Sequence, residues 1–285
     1  MTPFDPTLAP PGRLARLGVV VDPADRTAVA TSRLADLAGI DVIWTAGLDD
    51  GANPGDVHLV ERALSRARLG VIADSAWSGA HEITVLAGPG TATIARRLRE
   101  DIDGQEGRVR LGAVAESTDD IAELLACVDD IVLPAWTYTD LEIAADEVRA
   151  KAREADRDPA TLGVAALLPV SIGRTRTEAE ARANRDPRFA RLGHPRDVGI
   201  FGTLEECQDR AIALAHVGIT DLRCILPAAP DVHDVIAQLT AVTIGTTDVL
   251  VPGSLRSPAP PPPAGWGGRP EQPPRRGVSG GSRRA

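Results

Sequence analysis

Eight short apolar runs, spaced along 285 residues and mostly separated by stretches of helical periodicity, predict a parallel α/β protein closed into a (β/α)8 barrel. Three observations carry this expectation. The runs alternate with helical stretches, as parallel strands joined by crossover helices require. Their number is eight, which favours closure over an open sheet. A chain with 43% hydrophobic content at this length can also bury a full barrel core.

Residues 1–13 are Pro-rich and read as an arm. RLGVVVD, Arg16 to Asp22, is the first strand, followed by an amphipathic helix from Asp25 to Ala38 that stops at Gly39. DVIWTA, Asp41 to Ala46, is the second strand and RLGVIAD, Arg68 to Asp74, the third, with a helix from about Gly55 between them. EITVLAG, VRLGAVAE and DDIVLPA supply strands four to six across short connections. Gly163 to Ile172 is almost continuously apolar, as expected of a strand covered on both faces. Thr177, with Glu180 three residues on, has capping-box spacing and reads as a helix start. Glu205 to His216 is helical and ends at Gly218, and Asp221 to Leu226 is a last strand halted by Pro227. No repeat beyond this alternation is read.

The barrel is therefore expected over residues 14–252. From 253 to 285 the composition turns to Pro and Gly clusters with six arginines and one acid. Such a segment buries too little apolar surface to offset its ordering entropy, so a disordered or polyproline-like tail is expected. The net charge of -9 argues against nucleic acid as a partner. No run is long enough to cross a bilayer, and the N-terminus lacks a signal-peptide pattern, so a cytoplasmic protein is expected.

Cys127, Cys207 and Cys224 are an odd set without CxxC spacing, and they read as buried free thiols. His81 and Glu82 begin like HExxH, but no second histidine follows, so no metal site is expected. GxSxG and Walker patterns are missing, which leaves hydrolase chemistry without support.

In a barrel of this class the catalytic face lies where strands end. Asp22, Trp44, Asp74, Glu116, Trp136, Tyr138, Ser171, Arg174 and Thr175 all fall at or near such exits. Trp44, Trp136 and Tyr138 offer planar faces for stacking a ring system, or simply fill gaps at the mouth. Gly88, Gly90 and Thr91 join a strand to a helix start, where amides bind phosphate; a plain turn is the alternative. A dinucleotide fingerprint with Glu116 on a ribose is opposed by Pro89 in the loop and by Thr93 in place of the third glycine. Ser171, Arg174 and Thr175 follow the seventh strand and suit either a phosphate or the cap of the next helix.

Four phrases go together: the turn at Arg157-Asp158-Pro159, VSIGRT at 170–175, GTLEE at 202–206 and GITDLRCILP at 218–227. In combination they resemble the C-terminal third of the bacterial luciferase-like monooxygenases, flavin- or deazaflavin-dependent oxidoreductases built on a TIM barrel. The resemblance covers roughly residues 14 to 250 and is strongest after 110. It implies FMN or the deazaflavin coenzyme F420 at the mouth, a small organic substrate, a flavin or deazaflavin reductase as partner, and a homodimer. Its cofactor-binding residues here would be Trp44, Gly88, Gly90, Thr91, Trp136, Ser171, Arg174 and Thr175.

One departure stands out. The family's Asp-His pair after the second-strand tryptophan is replaced here by Gly47, Leu48 and Asp49. Proton transfer would then fall to Asp74, Glu116 or Tyr138. The alternative is a catalytically degenerate luciferase-like protein that binds flavin or acts through interaction. A third reading is an unrelated barrel acting on a phosphorylated metabolite.

Overall fold

The computed structural model describes residues 14, 16–46, 53–75, 77, 79–88, 90–103, 109–135, 137, 140–190, 198–228 and 232–244. The expected N-terminal arm and C-terminal tail lie outside the described residues, as do Trp136 and Tyr138.

The strands are β1 (Arg16–Val21), β2 (Val42–Thr45), β3 (Arg68–Ile72), β4 (Glu82–Val85), β5 (Arg110–Val114), β6 (Asp130–Pro134), β7 (Gly163–Ile172), β8 (Ile200–Gly202) and β9 (Asp221–Ile225). All pair in parallel, and β1 to β7 together with β9 form a ring that closes through β9 on β1. The eight expected strands are these eight, so the fold is a (β/α)8 barrel. The ninth strand, β8, adds only to the end of β7, where Val170 to Ile172 pair with Ile200 to Gly202.

Helices α1 (Ala28–Ala38), α2 (Pro54–Ala63), α3 (Thr91–Asp103), α4 (Thr118–Leu124), α5 (Leu141–Glu154), α6 (Arg176–Arg185), α7 (Pro187–Ala190), α8 (Leu204–His216) and α9 (Val232–Ile244) accompany the ring. Their ends follow local chemistry. Asn53 caps α2 by accepting from the Gly55 amide, with Pro54 at the first helical position. Thr203 and Glu206 form a reciprocal capping box on α8.

Two details differ from expectation. Helix α6 is capped by Thr175, whose hydroxyl accepts from the Glu178 amide, so it opens two residues before the Thr177 start. Both threonines precede a glutamate by three residues, and the earlier pair lies nearer the strand exit. Strict alternation also breaks between β3 and β4, where no helix occurs among the described residues of 73–81.

The period-two alternation of each strand makes two cores. Outward side chains such as Val19, Ile43, Leu69, Ile83, Leu111, Ile131, Leu133 and Leu168 pack under the helices. Inward ones, among them Val20, Val42, Trp44, Ile72, Val114, Val132, Ala165, Leu167 and Ile225, fill the lumen with Ala183, Phe189 and Phe201. Cys127, Cys207 and Cys224 are all free and buried in the outer core. No helix among the described residues is long and apolar enough to cross a membrane.

Candidate active site

The lumen has two ends of opposite character. At the strand starts, Arg16 donates to both Glu82 carboxylate oxygens at 2.7 Å, to Asp221 at 2.9 Å and to Asp130 at 3.1 Å. Arg110 grips both oxygens of Asp130. Arg223 donates to the Thr84 hydroxyl, pairs with Asp221 and lays its guanidinium 3.9 Å from the Trp44 ring centroid. Burial alone pushes the Asp130 carboxyl up, but Arg16 and Arg110 outweigh it and hold that group well below the usual carboxylate range.

Glycines make room for this plug. A Cβ on Gly70 would lie 2.4 Å from Trp44, and one on Gly163 would lie 1.8 Å from Asp130 Oδ1. Arg-Leu-Gly recurs at 16–18, 68–70 and 110–112, in β1, β3 and β5, which corrects the expectation of no further repeat. In each copy the arginine stands at the strand start, and the glycine two residues on leaves the lumen clear.

The strand exits form the other end. Val20, Ile72, Val114, Leu167 and Ile225 keep 4–8% of their surface, whereas Val42, Trp44 and Ala165 keep 0–1%. The lumen side chains nearest the exits thus form an apolar floor that keeps a little accessible surface, whereas those below it keep almost none. Beside it the β7–β8 crossover contributes Phe189 and Phe201, packed edge to face with centroids 6.3 Å apart. Arg182 fastens that crossover by donating to the Ile172 carbonyl at 2.6 Å and the Ser171 hydroxyl at 3.2 Å. Buried Asp186 accepts from the Arg188 side chain and from the Ala228 amide at 2.7 Å, tying the crossover to the β9 exit.

The expected site residues are distributed unevenly around this mouth. Asp74 and Glu116 are exposed at the exits of β3 and β5. Trp44 is in the lumen with Arg223 on its ring, where it fills space between Gly18 and Gly70. Gly88 and Gly90 are exposed, and a Cβ on either would meet nothing within 4 Å. Thr91 folds back, its hydroxyl accepting from the Gly88 amide at 2.9 Å and donating to the Gly88 carbonyl at 2.7 Å. Ser171 is buried under Arg182. Arg174 is exposed, with its amide on Glu178, beside the cap formed by Thr175. The loops that carry the two glycines and Arg174 follow β4 and β7, three strands apart around the ring, so they are separate candidates for one anion.

Sequence reasoning passed over Arg182, Asp186, Arg188 and Asp25. A cavity of about 300 Å³ at the β1 and β9 exits is lined by Asp22, Asp25, Arg188 and His233 with Val20, Leu226 and Val232. The Asp186-Pro187-Arg188 phrase was one available signal, because an aspartate there accepts from the amide two residues on.

No family model matches the chain, and no curated protein matches it. Solved structures do. A coenzyme F420-dependent tetrahydromethanopterin reductase from Methanopyrus kandleri aligns with TM-score 0.65 and 15% identity over 79% of this chain and 97% of its own. An F420-dependent secondary alcohol dehydrogenase gives 0.62 and 13% over 80% and 99%. The FMN-bound oxygenating constituent of 3,6-diketocamphane monooxygenase from Pseudomonas putida gives 0.58 and 11% over 84% and 100%. The shared property is the fold, a parallel (β/α)8 barrel.

Proposed function

We propose that this chain is an oxidoreductase that holds FMN or a deazaflavin such as coenzyme F420 at the barrel mouth and acts on a small organic substrate. The observation that carries the reading is the apolar floor at the strand exits, which keeps a little accessible surface over a lumen that is closed below. A flat ring system needs apolar surface that it can reach, and Val20, Ile72, Val114, Leu167 and Ile225 supply it. Similarity to F420- and FMN-dependent barrels along almost their whole length supports the choice of ring.

The residues also suit the anionic part of such a cofactor. Open space in front of Gly88 and Gly90, at the start of the 13-residue helix α3, lets phosphate approach the first-turn amides, with Thr91 bracing the loop through the Gly88 amide. Exposed Arg174 is the second candidate, and Thr175 and buried Ser171, whose hydroxyls already hold the Glu178 amide and Arg182, would serve by shaping its loop. Trp136, and Trp44 from below, complete the proposed set. The bound cofactor would supply hydride exchange at its ring. Phe189 and Phe201 shield the mouth from water, and Asp74, Glu116 or Tyr138 carry the proton. A reductase that recharges the cofactor and a homodimeric assembly belong to the same proposal.

Titration of the purified protein with FMN and with F420, followed by cofactor fluorescence, tests the reading. Saturable one-to-one binding of either is expected, weakened in Gly90→Val or Arg174→Ala. Failure of both cofactors to bind contradicts it. One observation favours a second reading of binding without turnover: Asp74 and Glu116 are exposed at the rim, whereas the buried carboxylates of the lumen sit at the opposite end. Single-turnover assays of Asp74→Asn, Glu116→Gln and Tyr138→Phe separate the two. A working enzyme should lose roughly 100-fold or more in one of them.

A further inference from the structure

The cavity at the β1 and β9 exits is not needed to seat a cofactor, and it adjoins the proposed site at Val20, which lines both. Its volume of about 300 Å³ suits a small organic molecule rather than a tricyclic cofactor with its side chain. Its walls differ in charge. Asp22 and Asp25 come from the loop between β1 and α1, while Arg188 comes from the crossover turn and His233 from α9.

The charges do not balance. Arg188 is committed to buried Asp186, donating Nε to Oδ1 at 3.0 Å and Nη2 to Oδ2 at 2.7 Å, with Nη2 also on the Leu226 carbonyl at 3.0 Å. Asp22 and Asp25 act on Arg188 only as more distant carboxylates that favour its charge. Among the described residues neither aspartate forms an ion pair. Asp22 Oδ1 accepts from the Ala24 amide at 3.0 Å, and Asp25 Oδ1 accepts from the Thr27 amide and hydroxyl at 2.8 and 2.9 Å. In each carboxylate one oxygen shapes the turn and the other is left for a ligand. Two carboxylates, Asp22 and Asp25, thus line a cavity whose guanidinium is already neutralised by Asp186 behind it; the other polar lining groups are Thr27, Thr31 and His233, and the rest of the wall is apolar.

We propose that this cavity is the substrate subsite and that it takes a small amine, with the ammonium group paired to Asp22 and Asp25 and the apolar body along Val20, Leu226 and Val232. Only the word substrate rests on the oxidoreductase reading. Amine binding stands on the cavity itself. A neutral alcohol of the same shape gains no charge-assisted bond there, and a carboxylate meets repulsion.

The test uses three isosteric probes, benzylamine, benzyl alcohol and benzoate, against the full chain and an Asp22→Asn/Asp25→Asn double variant. Asparagine keeps the Oδ1 acceptor that each turn needs and removes only the charge. Affinities read by saturation-transfer NMR should favour benzylamine over both analogues by about tenfold or more, and the double variant should lose that preference. Thermal midpoints establish that the variant folds; if it does not, Asp25→Asn alone should weaken benzylamine several-fold. Equal binding of the three probes, a preference for benzoate, or an unchanged preference in a folded variant overturns the proposal. A parallel cofactor titration separates the two ideas. Amine preference without cofactor binding supports the site and removes only the oxidoreductase reading, whereas cofactor binding without amine preference overturns the site alone.

Discussion

The two ends of one lumen are built from opposite materials. At the strand starts, three arginines and three carboxylates interlock, all but Arg110 fully buried; Gly112 and Gly163 leave space for these charges, and Gly18 and Gly70 leave space for Trp44. At the exits the lumen ends in an aliphatic floor that stays partly open, with polar groups confined to the rim. The ionisable groups inside the lumen therefore lie at its closed end, whereas those at the exits, Asp22, Asp25 and Arg188 among them, stand around the apolar floor and not in it. A cluster of buried, strongly shifted charges is often a sign of catalysis, but here its closure and charge balance mark it as architecture. The apolar end is the one that an added ring system would complete.

Several measurements would break or sharpen that contrast. The largest effect is expected from Asp130→Ala, which strips Arg16, Arg110 and Arg223 of a shared carboxylate and should cost about 3–5 kcal/mol in urea denaturation. Glu116→Ala at the rim should stay within about 0.5 kcal/mol. Comparable losses at both positions would erase the distinction. A smaller effect of the same kind is expected from one methyl group. Gly70→Ala drives a Cβ into Trp44 and should cost about 1–3 kcal/mol, while Gly88→Ala, with nothing within 4 Å, should be nearly neutral.

Acid should act on carboxylates that the fold holds down, at the exits buried Asp186 and at the strand starts Asp36 and Asp130. Asp36 resists burial by accepting from Ala67, Ser65 and Arg66, which holds its carboxyl down at about 2, and Asp130 is held lower still. A depressed carboxyl stabilises the fold above its unfolded pKa and loses that contribution as pH falls through the folded one. The urea midpoint should therefore be flat down to about pH 5 and drop between about pH 4 and 2. In Asp36→Asn the drop should shrink, and an unchanged acid profile would contradict this assignment. The smallest effect is expected from deleting residues 254–285, whose composition contributes little apolar burial; thermal midpoint and cofactor affinity should both stay unchanged.

Much of this fold is legible in the residues, for reasons that also explain the gaps. The eight ring strands show because each is an apolar run bounded by Gly, Asp or Pro. Strand β8 does not, since three residues, Ile200 to Gly202, carry no period. Helix α6 was displaced by two residues because Thr175 and Thr177 offer the same spacing to a glutamate. At the site, Asp22, Asp74, Glu116 and Ser171 can be read from their places after apolar runs. Arg188 and His233 cannot, because only the packing of the crossover and of α9 brings them to the β1 exit. The arginine plug was half legible. Arg-Leu-Gly opens three of the ring strands, but a charge at a strand start ordinarily means a solvated strand end, and only ring closure turns Arg16 and Arg110 onto the lumen carboxylates.

The central claim is that ligand chemistry belongs to the strand-exit end alone. Hydrogen–deuterium exchange with and without saturating FMN or F420 tests it most directly. Protection is predicted at residues 20–25, 72–75, 86–92, 114–118 and 171–176, with no change at the strand starts 16–18, 110–112 and 221–223. Protection confined to the strand starts, or absent everywhere at saturating cofactor, would contradict it.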